Sequence, residues 1–141
     1  AEALGGVKFV QDNQSMSRQV GTLRGMHFQS SPHAEAKLVS CRRGAILDVC
    51  LDLRPGSPTY LQWRGYELSE SNGRQYYLPK GCAHGFQTLS DDAEVTYRIS
   101  DDYAPASAGG FRYNDPAFGI EWPLPPTVMS DKDRNWPDFR V

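Results

Sequence analysis

Ala45-Ile46-Leu47-Asp48-Val49-Cys50-Leu51-Asp52-Leu53 alternates in character with period two. Leu47, Val49, Leu51 and Leu53 share one face, and Asp48, Cys50 and Asp52 share the other. That is the pattern of a β-strand and not of a helix. The same pattern spreads outward. Upstream, Ala36–Arg42 reads as a second strand, and Arg43-Gly44 predicts a tight hairpin between the two. Downstream, Tyr60–Leu68 and Arg74–Leu78 repeat the alternation, with Glu70-Ser71-Asn72-Gly73 between them as turn chemistry. His84–Leu89 and Glu94–Ser100 read as a further pair linked through Ser90-Asp91-Asp92. No segment sustains a 3.6-residue period, although Asp131–Trp136 predicts a helical turn. Many short strands at close spacing imply an all-β sandwich or barrel.

From Asp101 onward the chain is rich in loop residues, with Pro105, Gly109-Gly110, Pro116 and the run Pro123-Leu124-Pro125-Pro126. No repeat, low-complexity stretch or domain boundary interrupts residues 1–141, so a single domain is expected. Ala1–Val7 is a weak lead-in, and the first strand-like run starts at Val7. A barrel that begins so abruptly is expected either to lack an N-terminal piece or to borrow an edge from a partner subunit.

Composition narrows the function. Apolar residues make up 39% and charged residues 23%, which supports a folded core rather than disorder. A net charge of −2 gives no basic footprint for nucleic acid, so an anionic ligand would need a local cationic cluster. No apolar run approaches the ~20 residues that span a bilayer, and no signal peptide is visible, so a cytoplasmic protein without membrane contact is expected. Cys41, Cys50 and Cys82 are too few and too scattered for a disulfide framework or a zinc site.

The residues able to do chemistry centre on histidine. His27 lies in Leu23-Arg24-Gly25-Met26-His27-Phe28-Gln29, and His84 in Pro79-Lys80-Gly81-Cys82-Ala83-His84-Gly85-Phe86; His33 sits in a loop and reads as a surface residue. Pro-x-Gly-x-x-His-x-Phe resembles the second motif of cupin barrels, where a Pro-Gly turn delivers a histidine into the barrel. The first motif of metal cupins carries His-x-His with a glutamate further on. Here it reads His27-Phe28-Gln29 with Glu35, and an amide is a poor metal ligand. Strand parity places Leu23, Gly25, His27 and Gln29 on one face, Lys37 with Val39 and Cys41, and Tyr97 with Val95 and Ile99. A lysine or tyrosine aligned with apolar residues points inward, where it needs a partner. Taken singly, Lys37 reads as a snorkelling lysine and Tyr97 as a core aromatic. Together with His27 and His84 they describe a polar barrel interior.

Several runs in register resemble the dTDP-4-dehydrorhamnose 3,5-epimerase family. They are Gln11-Asp12-Asn13, Arg24-Gly25-Met26-His27-Phe28-Gln29, Lys37-Leu38-Val39, Pro79-x-Gly-x-x-His84-Gly-Phe, Tyr97, Asp102-Tyr103-Ala104-Pro105, Asn114-Asp115-Pro116 and Ser130-Asp131-Lys132-Asp133, and they cover the chain from about Phe9 to its end. The resemblance implies a cupin-like jelly-roll β-barrel, a homodimer, no metal or other cofactor, and dTDP-4-keto-6-deoxyhexose as substrate. It implies His27 as the base that removes a proton beside the ketone, oriented by Asp133, with Lys37 balancing the enolate and Tyr97 returning a proton on the opposite face. A carboxylate on one imidazole nitrogen fixes the tautomer, as such chemistry requires. Gln11, Asp12, Asn13, Arg24, His84, Lys132 and Tyr103 match positions that hold the nucleotide, diphosphate or sugar. Read without the family, Arg24 is a surface ion pair, the Gln11–Asn13 run a turn, and Asp133 a helix cap.

Three departures stand out. Family members carry a few dozen further N-terminal residues, including an arginine and an acid that reach the substrate across the dimer; an acidic residue before the Gly-Gly stretch is Ala108 here; and Cys82 takes a place often held by a bulky aromatic. The competing readings are an epimerase that inverts one carbon, a metal-dependent cupin oxygenase, and a non-catalytic sugar-nucleotide binder.

Overall fold

A computed structural model describes residues 8–31, 34–102 and 104–139. Its strands are β1 (Gln11–Ser17), β2 (Leu23–Gln29), β3 (Lys37–Arg43), β4 (Ala45–Asp52), β5 (Trp63–Ser69), β6 (Gln75–Leu78), β7 (Cys82–Thr88), β8 (Ala93–Ile99) and the short β9 (Ala108–Gly110). One helical turn, α1 (Asp131–Arg134), follows as the Asp131–Trp136 stretch predicts. The strands form two sheets, ordered β1-β8-β3-β6 and β5-β4-β7-β2-β9, and every ladder is antiparallel. Pairing is nested: β4 with β5, β3 with β6, β2 with β7, and β1 with β8. Such a nested hairpin, rolled so that β3 also meets β8 and β4 meets β7, is a jelly roll.

The predicted hairpins do not form. β3 and β4 follow each other across Gly44 but lie in different sheets, and so do β7 and β8. Alternation specifies a strand and its two faces, but not its partner. In a jelly roll the short corners carry the chain from one sheet to the other, so neighbours in sequence face each other across the core.

The face assignment in β4 also has a consequence that alternation does not reveal. Ile46 packs between the sheets with Val39, Cys41, Leu68, Leu78, Phe86, Ala93 and Val95. Asp48, Cys50 and Asp52 share that inner face by parity. The more apolar face, Leu47, Val49, Leu51 and Leu53, turns the other way and is covered by Phe111, Phe118, Ile120, Trp122 and Phe139 from the loop-rich C-terminal stretch. That stretch is therefore a third layer. Burying side chains such as Val49 and Leu51, both fully shielded, contributes about 1.5–3 kcal/mol each. The polar inner face is left for chemistry.

Candidate active site

β2 presents its side chains through an irregularity. Arg24 stands opposite Phe86 and His27 opposite His84, so Gly25 and Met26 together face the single residue Gly85. This bulge resets the parity. Arg24 and His27 end on the same inner face, although strict alternation separates them, and Met26 turns outward into the C-terminal layer. Gly25 is required here. Its φ is +119°, and a Cβ would fall 2.7 Å from Gly85 Cα and 2.8 Å from the His84 carbonyl oxygen.

Two adjoining cavities, of about 410 and 320 Å3, share His27, Lys37, Tyr97 and Lys132 in their walls. Gln11, Asn13 and Trp136 line the first, and Arg24, His84 and Asp133 the second. β2 and β7 supply the histidines from one sheet. β3 and β8 supply Lys37 and Tyr97 from the sheet facing it, and α1 closes the side.

His27 Nε2 lies 2.6 Å from Asp133 Oδ1. The His27 side chain is 45% exposed and that of Asp133 only 5%, so a ligand can reach the imidazole but not the carboxylate. Asp133 also accepts the Gly25 N–H at 3.1 Å and the Trp136 indole N–H at 3.2 Å. Burial raises its pKa, but the hydrogen bond and charge of His27, with the other two donors, outweigh burial and leave it below the ordinary carboxylate value. Ser130, not Asp133, caps α1 by accepting the Asp133 N–H. With Nε2–H donating to the carboxylate, the proton-free nitrogen of a neutral His27 is Nδ1, which has no hydrogen-bond partner among the described residues.

A second pair lies deeper. His84 Nε2 is 2.5 Å from Asp48 Oδ1; both side chains are buried, and Asp48 Oδ2 has no partner within the described residues. Asp48 is a residue that motif reading passes over. Its signal is its place on the inner face of β4, where a lone carboxylate demands a partner. Lys37 Nζ is 3.4 Å from Glu35 Oε1, so the glutamate weighed as a metal ligand in the cupin motif pairs with this lysine instead. Burial pushes the Tyr97 phenol up, partly offset by the Arg24 charge and a hydrogen bond with Ser15. The Tyr97 ring meets His84 edge-on at 6.2 Å.

The remaining predicted residues divide. Gln11–Asn13 is strand rather than turn, so Gln11 and Asn13 point inward while Asp12 points out, 80% exposed and 3.6 Å from Arg98 Nε. Arg24 approaches Ser17 Oγ at 3.4 Å and makes no ion pair among the described residues. Lys132 Nζ sits 5.5 Å over the Trp136 ring, within cation–π range. Tyr103 and His33 lie outside the described residues. No three of His, Cys, Asp and Glu converge on a point among the described residues, and each of the two histidines already gives Nε2 to a carboxylate.

Fold and site together define a cupin-like jelly-roll enzyme with acid–base side chains facing one another across its interior. Comparison with known proteins agrees. The family described as dTDP-4-dehydrorhamnose 3,5-epimerase matches residues 1–140. The dTDP-4-dehydrorhamnose 3,5-epimerase of Sinorhizobium fredii is 49% identical over 134 residues, which are 94% of this chain and 69% of that protein. The Bacillus anthracis enzyme of the same name, solved with TDP and PPi bound, superposes with a TM-score of 0.94 at 47% identity, covering 98% of this chain and 79% of that one. The Legionella pneumophila dTDP-6-deoxy-D-glucose-3,5-epimerase, solved with dTDP-4-keto-L-rhamnose, gives 0.87 at 47% identity, covering 94% and 70%. This chain belongs to the dTDP-4-dehydrorhamnose 3,5-epimerase family, and it is an isomerase.

Proposed function

We propose that the protein epimerises dTDP-4-keto-6-deoxyhexose at C3, C5 or both, by removing a proton beside the ketone and returning one to the opposite face. The observation that carries this reading is the confrontation of His27 and Tyr97 from opposite sheets across one cavity. His27 Nδ1 takes the C–H proton, and Asp133 stabilises the imidazolium that results. The Lys37 ammonium lies in the same walls and offsets charge on the enolate oxygen. Tyr97, kept protonated by burial, is a donor at neutral pH and delivers the second proton. Arg24 and Lys132 supply the local positive charge that a diphosphate needs in a chain of negative net charge, and His84, Gln11 and Asn13 supply hydrogen-bonding groups for the rest of the ligand. NMR in D2O with dTDP-4-keto-6-deoxyglucose tests the reading. Deuterium entering at C3 or C5 is expected, the labelled positions count the inverted carbons, and no exchange at either refutes it.

The chain acts as a homodimer in the cytoplasm. β1 is an edge of its sheet, and Val10 just before it and Met16 within it are 59% and 47% exposed, which suits an edge covered by a second copy. No described helix is long and apolar enough to cross a membrane. Sedimentation at micromolar concentration checks the dimer, and a clean monomer overturns it.

A further inference from the structure

The inner face of β4 and β7 carries a second group of reactive side chains just beyond His84. In the register of these strands Cys50 stands opposite His84 and Asp52 opposite Cys82. The two cysteines are thus diagonal neighbours on one face. Both line a pocket of about 300 Å3 with Asp52, Arg54, Arg64 and Tyr76. Asp52 fixes Arg54 through two hydrogen bonds, of 3.0 and 3.1 Å. The Arg54 stem lies across Gly81, where a Cβ would come within 2.5 Å of Arg54 Cγ, so the cation is held over the residue that precedes Cys82.

The two thiols therefore share one inner face and one pocket. The hydrogen bond from Cys50 holds the Cys82 thiol below its ordinary value, against burial and helped by the Arg54 charge. The same contact, with burial, pushes Cys50 well above it. Arg54, tied to Asp52 and lying over Gly81, stands on the Cys82 side of the pair, which marks Cys82 as the thiol to attack and Cys50 as the one to follow. The third cysteine, Cys41, is buried in the core with its thiol on the Arg43 carbonyl, and serves as an internal control.

We propose that Cys50 and Cys82 form a dithiol modification site, oxidised to an intrachain disulfide by low-molecular-weight disulfides. The Cys82 thiolate attacks one sulfur of the reagent; a Cys82 mixed disulfide forms as the reagent S–S bond breaks and one thiolate leaves. Cys50 then attacks the Cys82 sulfur, the second reagent thiolate leaves, and the proton from Cys50 goes with it through solvent. Two protein thiols are oxidised, and one reagent disulfide is reduced to two thiols.

The test uses the full chain, reduced, freed of reductant and incubated with oxidised glutathione. Free thiols are then trapped with N-ethylmaleimide, and the protein is analysed by intact mass and peptide mapping. The wild type is expected to lose two hydrogens and yield a Cys50–Cys82 linked peptide, with Cys41 alkylated only after unfolding. Cys50→Ser is expected to stop at one glutathione on Cys82. Cys82→Ser is expected to react at Cys50 at least about tenfold more slowly than Cys82 does in the wild type, because the activated thiolate is gone. A wild type that stays reduced, that stops at the glutathione adduct, or that links Cys41 overturns the proposal. So does Cys82→Ser reacting as fast as the wild type.

Discussion

Replacing Asp133 by asparagine preserves shape and removes a charge, and its outcome can be worked from the contacts. Oδ1 receives the His27 Nε2–H at 2.6 Å and the Trp136 N–H at 3.2 Å, while Oδ2 receives the Gly25 N–H at 3.1 Å. Three donors thus point at one carboxylate, and an amide offers only one accepting oxygen. If that oxygen stays with His27, the new NH2 confronts the Gly25 N–H, and an unsatisfied buried donor costs about 1–3 kcal/mol of stability. If the amide flips, its NH2 forces Nε2 to accept, the ring proton moves to Nδ1, and the base loses its lone pair. Turnover is then expected to fall by about 10²–10⁴, equivalent to ~3–5 kcal/mol in the barrier, with KM little changed. The pH dependence has a definite sign. The Asp133 carboxyl in the folded protein titrates below its unfolded value of about 4, so its stabilisation is full above that pH and is lost as pH falls through the folded pKa. Asp133→Asn therefore shows a flatter acid limb. Solvent-exchange NMR reads the rate, and thermal melts across pH read the stability. Turnover within about threefold of wild type, with an unchanged acid limb, refutes the dyad.

Tyr97→Phe is expected to keep solvent exchange while impairing inversion, since the ring still packs against the core and only the second proton donor is lost; equal loss of both in the NMR assay counts against a separate acid. Gly25→Ala places a methyl against the Gly85 and His84 backbone at a φ that alanine avoids, and is expected to destabilise by about 2–4 kcal/mol in thermal unfolding. A melting temperature equal to wild type shows that the bulge relaxes without cost. Exhaustive dialysis against chelator is expected to leave turnover intact, because both histidines spend Nε2 on carboxylates; activity restored only by added metal supports the oxygenase reading instead.

The sequence shows the strands more clearly than their partners. Residues 45–53 reveal a strand because apolar side chains recur at every second position. Nothing local records that β4 pairs with β5 and β7 while its neighbour β3 joins the other sheet. That choice depends on burying both faces of one sheet at once. The inward placement of Lys37 and Tyr97 is legible, because a polar residue in an apolar row has one physical explanation. Arg24 and His27 on one face is not, since it hangs on a bulge that alternation cannot show; Gly25 is its only local trace. Asp48 escapes for a related reason. It sits in the polar-looking row of β4, and only the fold shows that this row faces the interior opposite His84.

The His27–Asp133 pair joins residues 106 positions apart, and its carboxylate arrives on α1, in the C-terminal layer that covers the outward face of the β5-β4-β7-β2-β9 sheet. A ribosome that has just completed β9 has already made every strand that lines the cavity, yet its product holds an unoriented imidazole. On the proposed mechanism, competence for proton abstraction therefore waits for docking of the C-terminal layer. A protease that nicks the connecting loops before that layer docks would leave a barrel with Arg24 and Lys37 in place but without Lys132, Trp136 or the carboxylate that orients its histidine. Loss of turnover together with weakened ligand binding is therefore the expected signature of damage there.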